Sequence, residues 1–166
     1  MNSFNIQEPQ IVKTTSISLD AANQIANVAI HTAKQKKFNP IIVTVVDPAG
    51  EIITMQRMDH CASGAYPKYS YAKAFTAVSH NISSRDFRDK YIPATSTDSP
   101  DYRKLTQLLN MSSINEGKLA TFPGGIVLRT KEDGIVIGAV GVSGASGDED
   151  EYCAMEGAKA AGFDLV

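Results

Sequence analysis

The 166-residue chain has little cysteine and no long apolar run, and each of these two shortages excludes a class of protein. Its two cysteines, Cys61 and Cys153, form neither a Cys-x-x-Cys pair nor a dense disulfide pattern, so both are expected to be free thiols. The longest aliphatic runs, such as residues 41–46, are too short to cross a bilayer. Residues 1–13 lack the apolar stretch of a secretory signal, and we therefore expect a cytoplasmic location.

A strong excess of either charge is also absent. The net charge of -2 is spread over interspersed acids and bases, which creates no broad positive field. Nucleic acid and anionic membrane surfaces are therefore not expected as partners. With 43% hydrophobic and 20% charged residues, the composition is typical of one globular domain.

Several enzyme motifs are missing as well. The chain has no Gly-x-Ser-x-Gly elbow, no His-Glu-x-x-His and no Cys-x-x-Cys-His, which disfavours a hydrolase, predicts no metal site and excludes covalent haem. Gly141, Gly144 and Gly147 do not have the dinucleotide-binding spacing. The four acids at 148–151 would oppose a phosphate, and we expect them to begin a helix. Whether the protein is an enzyme stays open at this point.

The predicted elements describe an N-terminal arm, residues 1–15, and a single domain, residues 16–166. Helices are predicted after Ser18 and over 67–82, 101–110 and 148–161, and Ser84 is expected to cap a short helix. Two hairpins are predicted, 41–47 with 51–58 and 126–130 with 135–142, each around a turn that contains glycine. Hairpins flanked by helices, without repeated strand-helix-strand units, predict an α+β fold with an antiparallel sheet.

Three segments carry a resemblance to a known family. They are VDPAGEIITMQRMD at 46–59, AKAFTA at 72–77, and FPGGIVLR with GIVIGAVGVSGASGDEDEYCA between 122 and 154. These segments resemble the GlcG/HbpS-like, or haem-degrading-domain, family, to which the C-terminal part of PduO is similar, over about residues 17–162. The resemblance implies a profilin-like α/β/α sandwich around an antiparallel sheet, and assembly as a homo-oligomer.

The same resemblance selects candidate pocket residues. Arg57 and Asp59 match the family's RMD motif, and Lys73 matches the lysine of AKAxTA. Arg57 can hold a carboxylate by paired donors, Lys73 can act as a point charge, and Asp59 can orient either one. The alternative is a structural ion-pair network between the hairpin and the helix.

A glycine-containing turn supplies the remaining pocket candidates. Phe122, Gly124 and Gly125 match the family's FPGG motif, and the glycine amides are expected to be available to a ligand oxygen. The alternative is a simple turn that enters the strand.

The resemblance also implies haem as a possible cofactor, bound non-covalently as haem b. His31 lies on the polar side of the first helix, which leaves His60 and His80 as possible axial ligands. Tyr66 and Tyr69 are candidates for aromatic walls around a macrocycle. The family motifs do not specify one axial ligand.

Three functional hypotheses remain open. The first is a haem-binding or haem-degrading protein. The second is a cofactor-free enzyme or accessory factor for a small hydroxy- or oxo-acid, in which Arg57 holds the carboxylate and Lys73 or His80 moves a proton. The third is an oligomeric regulatory or binding module.

Overall fold

The computed structural model describes residues 13–62, 64–92 and 101–163. The helices are α1 (Leu19–Lys36), α2 (Tyr66–His80), α3 (Ser84–Tyr91), α4 (Tyr102–Ile114) and α5 (Gly147–Ala160). The strands are β1 (Ile42–Val46), β2 (Ile52–Arg57), β3 (Gly125–Arg129) and β4 (Val136–Ser143). Most of the expected N-terminal arm, residues 1–12, lies outside the described residues.

The four strands form one sheet in the order β2-β1-β4-β3, and every neighbouring pair is antiparallel. The predicted α+β fold with two hairpins around an antiparallel sheet is therefore confirmed. Helices α1 and α5 pack against each other and against one face of the sheet, while α2 packs against β1, β3 and β4 on the other face. The result is three layers, with the sheet in the middle.

Both faces of β1 are buried, which explains its continuous apolar run. Val43 and Val45 point into the core beneath α1 and α5, whereas Val46 packs with Ala74 and Ala77 of α2. Alternation along a strand places every second side chain on the same face. Thr44 consequently points toward α2, where its hydroxyl lies 2.7 Å from the hydroxyl of Ser70.

The first helix follows the sequence prediction closely. The Ser18 side chain accepts a hydrogen bond from the Ala21 amide and caps α1, and Lys37 ends the helix in the left-handed conformation with φ 58°. The small buried residues of α1 allow α5 to approach closely. A Cβ at Gly157 of α5 would lie 2.6 Å from the Ile25 carbonyl oxygen.

The start of α3 corrects the sequence prediction. Ser83, not Ser84, is the N-cap, because Ser83 has extended dihedrals and accepts a hydrogen bond from the Asp86 amide at 3.0 Å. Ser84 is the first helical residue, and its buried hydroxyl donates to the Phe122 carbonyl at 2.7 Å and accepts from the Gly125 amide at 2.8 Å. Adjacent serines offer two equivalent caps in the sequence, and only the fold shows which one turns toward β3.

Candidate functional site

A cavity of about 270 Å³ opens at one end of the sheet, beside the first two turns of α2. The side chains at its wall include Tyr69, Lys73, Phe122, Ser143 and Asp150. These residues come from α2, the turn before β3, the end of β4 and the start of α5. The fold therefore brings three family motifs, AKAFTA, FPGG and the acidic turn, to one cavity.

A buried ion pair forms one side of this cavity. Lys73 Nζ lies 2.8 Å from Asp150 Oδ2 and donates a second hydrogen bond to the Val142 carbonyl at 2.8 Å. The other carboxylate oxygen of Asp150 accepts from the Ala145 amide at 3.0 Å. Lys73 is 3% exposed and Asp150 is 2% exposed. This buried pair connects α2 with α5 at the end of the sheet.

Burial dominates the electrostatics of both partners. It lowers the pKa of the Lys73 ammonium, although the nearby carboxylate of Asp150 opposes this change. It likewise raises the pKa of the Asp150 carboxyl, against the attraction of Lys73. Burial thus disfavours the charged form of each partner, and the attraction between the two opposite charges opposes this effect.

The glycines of FPGG make room for this pair. Gly124 has φ 123°, and a Cβ there would lie 2.7 Å from the Val142 oxygen and 3.0 Å from Lys73 Nζ. A Cβ at Gly125 would lie 2.2 Å from the Lys73 carbonyl oxygen. The Gly125 amide, expected to be available to a ligand, already donates to Ser84. Gly125 therefore allows helix and strand to approach closely.

Arg57 lies on the same face of the sheet as the cavity. The strand register aligns Arg57 of β2 with Ile42 of β1 and Ser143 of β4, so these three side chains share the face toward α2. Two strand spacings separate Arg57 from Ser143, which is roughly 10 Å. Arg57 is exposed, and among the described residues it makes no ion pair.

The loop after β2 runs close to the cavity. The buried thiol of Cys61 has its pKa raised by burial; the charge of Arg57 opposes this effect and the charge of Asp150 adds to it. Both charges therefore lie near Cys61. Asp59 and His60 are exposed on this loop, and His60 has φ 61°. Within the described ranges Asp59 has no cationic partner. Lys73 pairs with Asp150, so the alternative of an ion-pair network between the hairpin and α2 is not found there.

His80 lies at the far end of α2. It is 11 residues beyond Tyr69 in the sequence, which is about 16 Å along a helix. Its ring packs against Phe87 at 4.4 Å between centroids, and its Nδ1 lies 3.2 Å from the Thr76 carbonyl oxygen. The structure thus separates His80 from Arg57, Lys73 and the cavity.

Aromatic rings surround the opening of the cavity. Tyr66 and Tyr69 have ring centroids 6.2 Å apart, and Tyr69 and Phe122 are also 6.2 Å apart. Tyr69 is 44% exposed and Phe122 is 55% exposed. We call these three residues the aromatic mouth. Exposed, neighbouring rings form a surface on which a flat apolar ligand can stack.

Sequence reasoning missed Ser143 as a cavity residue. The predicted strand ends at residue 142, yet β4 continues to Ser143. Extending the strand by this one residue places Ser143 on the face of Gly141, two positions earlier, and thus toward α2. Asp150 lies within the family segment that ends at residue 154, but its partner Lys73 is 77 residues away in the chain.

A larger depression, of about 560 Å³, follows α4 and is lined by residues of that helix. It is more open than the cavity, and α4 buries only Leu108 among its described side chains. Among its described lining residues there is no titratable pair comparable with Lys73 and Asp150. We therefore place the candidate site at the cavity.

Residues 13–62, 64–92 and 101–163 contain no group of three His, Cys, Asp or Glu residues arranged to hold a metal ion. Across these same residues, no helix is sufficiently long and apolar to span a bilayer.

Comparison with known proteins identifies the family. The model of the HbpS-like haem-degrading proteins matches residues 17–159, and the chain belongs to this family. The chain is 31% identical over 149 residues to the corrinoid adenosyltransferase PduO of Salmonella typhimurium strain LT2, covering 87% of this chain. It spans only 39% of the length of that PduO.

Solved structures of similar proteins share the fold. A structure of a PduOC:haem complex matches with a TM-score of 0.74 and 27% identity, covering 90% of this chain and 98% of that one. A structure of HbpS matches with a TM-score of 0.72 and 27% identity, covering 93% of this chain and 96% of that one. The comparisons therefore establish the family and the shared fold.

Proposed function

We propose that this protein binds haem b non-covalently at the aromatic mouth. Its family consists of HbpS-like haem-degrading proteins, and the similar PduOC was solved as a haem complex. In this chain, the observation that carries the proposal is the cluster of the exposed rings of Tyr69 and Phe122 with the half-buried ring of Tyr66. Aromatic rings at a surface provide the stacking contacts that a planar macrocycle requires.

The size of the cavity supports binding across the mouth. At about 270 Å³, the cavity is smaller than the roughly 300–1,000 Å³ pockets that enclose drug-sized ligands, and haem is larger than most of these ligands. Haem therefore fits the aromatic surface, not the interior. When bound, haem supplies an iron that accepts axial ligands and two propionates that attract cations.

The chain offers a cation and an imidazole on this side of the molecule. Arg57 is exposed on the same sheet face as the cavity wall, where its guanidinium is free to pair with a propionate. Of the two predicted axial ligands, His60 is favoured because it is exposed next to Cys61, close to Arg57 and Asp150. His80 is disfavoured by its distant position against Phe87.

Titration of the purified protein with haemin, followed in the Soret region, tests this proposal. The parent should give a saturable band at one haem per chain, and His60→Ala should shift it or weaken binding at least tenfold. His80→Ala and the exposed control His31→Ala should leave the band unchanged. Featureless, non-saturating absorption would remove the proposal, and a loss confined to His80→Ala would move the site to the other end of α2.

Haem degradation and homo-oligomer formation remain predictions. Turnover would appear as loss of the Soret band when a reductant and oxygen are added to the complex. An assembly is favoured by the exposed apolar side chains of α4, among which Leu109 is 65% and Ile114 is 81% exposed. Light scattering at micromolar concentration would measure its mass, and a monomer would contradict the expected homo-oligomer.

A further inference from the structure

We propose that the cavity beneath the aromatic mouth is a carboxylate site, in which Lys73 Nζ and Ser143 Oγ donate hydrogen bonds to one carboxylate group. This inference does not depend on haem binding, because it rests on the polar groups of the cavity wall. A free small organic acid and a carboxylate side arm of a larger ligand present the same chemistry to these donors.

Ser143 is the first observation. The residue is 3% exposed and lines the cavity, and its hydroxyl forms no hydrogen bond to the other described residues. Every fully enclosed polar side-chain atom of the described residues does have a partner, so the Ser143 oxygen must be accessible from the cavity. The nearby buried serines differ, because Ser70 bonds Thr44 and Ser84 bonds Phe122 and Gly125. Ser143 is therefore positioned to bond a ligand.

Lys73 is the second observation. An ammonium carries three N–H donors, and Lys73 uses one for Val142 and one for Asp150. The third donor remains for an acceptor in the cavity, whose wall includes Lys73. Two donors from different elements can thus converge on the oxygens of a carboxylate, and charge-assisted bonds of this kind are the stronger type.

The charges around the cavity permit an anion to enter. Although four acids crowd the start of α5, each has a defined partner. Asp150 pairs with Lys73, whereas Asp148 and Glu151 contact Arg85 at 2.5 and 2.6 Å. Glu149 closes the capping box of the helix with Ser146. Lys73 and Arg85 offset part of the charge of these four acids, and Arg57 adds a positive charge on the same face, so the repulsion of a single carboxylate is reduced.

The volume limits the ligand. A water molecule takes up about 30 Å³ in the liquid, so about 270 Å³ accommodates roughly nine atoms of similar size. The remainder of the wall includes Tyr69, Phe122 and Pro123, which suits a short carbon chain. The site therefore fits a monocarboxylate of a few carbons, or one propionate of a macrocycle that lies on the mouth.

Calorimetric titration of the haem-free protein with propionate, lactate and pyruvate tests the site, with lactamide as the uncharged control. The acids should bind and lactamide should not. Ser143→Ala should weaken acid binding about tenfold, because it removes one donor without adding volume. Ser70→Ala, which removes an equally buried serine outside the cavity, should leave acid binding unchanged. Thermal unfolding of each variant verifies that it folds.

Haemin titrations of the same variants distinguish the two sources of the carboxylate. If haem uses the site, Ser143→Ala should weaken haem binding and excess propionate should compete with haem. If a free acid is the ligand, haem binding should not respond to either change. The proposal is overturned if no acid binds at millimolar concentration and haem binding ignores Ser143→Ala, or if the acids bind parent and Ser143→Ala equally. Loss of haem binding alone, with acid binding intact, contradicts only the haem proposal.

Discussion

The two faces of the sheet differ in the number of polar side chains that they bury. The face beneath α1 and α5 is lined by a large cluster of buried residues, all of them apolar. On the face toward α2, apolar packing is interrupted by buried hydroxyl and charged groups. The buried polar residues of the described chain all lie on that face or bond to it: Thr44, Ser70, Lys73, Thr76, Ser84, Ser143 and Asp150.

The concentration of buried polar groups on the α2 side favours that face of the sheet as the one that binds a ligand. Replacing a buried polar group by an apolar one of the same shape is often neutral or stabilising, so stability alone does not require so many. The enclosed polar side-chain atoms of the described residues all have hydrogen-bond partners, whereas the Ser143 hydroxyl borders the cavity and bonds none of these residues.

Breaking the buried ion pair should have the largest effect. Asp150→Ala leaves the Lys73 ammonium buried without its counterion and removes the acceptor of the Ala145 amide. We expect a loss of about 3–5 kcal/mol in the free energy of unfolding, measured in urea. Glu156→Ala is the matched control, because it removes an exposed ion pair with Lys159 on the same helix and should cost under about 0.5 kcal/mol. Equal losses would contradict the importance of burial.

Adding a side chain at the close contact between α2 and the sheet should have the next largest effect. A Cβ at Gly141 would lie 2.0 Å from the Ser70 carbonyl oxygen, so Gly141→Ala must push the helix away. Such overpacking costs about 1–3 kcal/mol or more. Gly117→Ala separates this clash from backbone strain, because Gly117 has φ 75° and open space around it, and it should cost about 1–2 kcal/mol. Thermal unfolding of both variants compares the cost of the steric clash with the cost of the backbone strain.

Two substitutions at adjacent positions of β1 compare the cost of a polar change on one face of the sheet with the cost of an apolar change on the other. Val43→Thr places a hydroxyl in the apolar cluster and should cost about 1–3 kcal/mol. Thr44→Val loses the bond to Ser70 on the other face, but Ser70 keeps its bond to the Pro67 carbonyl, so we expect a loss of only about 1 kcal/mol. Chemical denaturation would show the order, and a reversed order would invalidate the distinction between the faces.

Much of this architecture could be predicted from local sequence. The Ser18 cap, the alanine spacing of α1 and the two glycine-containing turns define elements through contacts between residues close in the chain. The antiparallel sheet followed from the absence of crossover units. Ser83 and Ser84 mark the limit, since both fit a cap and only contact with Gly125 assigns the second one to the sheet.

The candidate site was less predictable, because its geometry depends on long-range contacts. The motifs selected Lys73, which lines the cavity, and Gly124, which lies against Lys73, but gave no sign that Lys73 pairs with Asp150. The small-acid hypothesis places His80 in one pocket with Lys73, two turns earlier on the same face of the helix, whereas His80 packs against Phe87. A helical stripe shows which face residues share, but not which neighbour covers each turn.

The smallest expected effect concerns His80, whose environment differs from that of the cavity at the other end of α2. Burial lowers the pKa of this imidazole below its ordinary value of 6.5, and the charge of Lys90 acts in the same direction. As the pH falls, the unfolded chain therefore takes up this proton before the folded protein does. The contribution of His80 to stability is fully present above pH 6.5 and decreases as the pH falls toward the lowered pKa.

His80→Gln should remove this dependence. Between pH 7.5 and pH 5, the variant should lose less thermal stability than the parent, although its stability at pH 7.5 should be somewhat lower because the contact with Phe87 is reduced. His31→Gln, on the exposed side of α1, should keep the pH dependence of the parent. If His80→Gln loses as much stability on acidification as the parent, His80 is not buried neutral, and this end of α2 must be open to solvent or to a ligand.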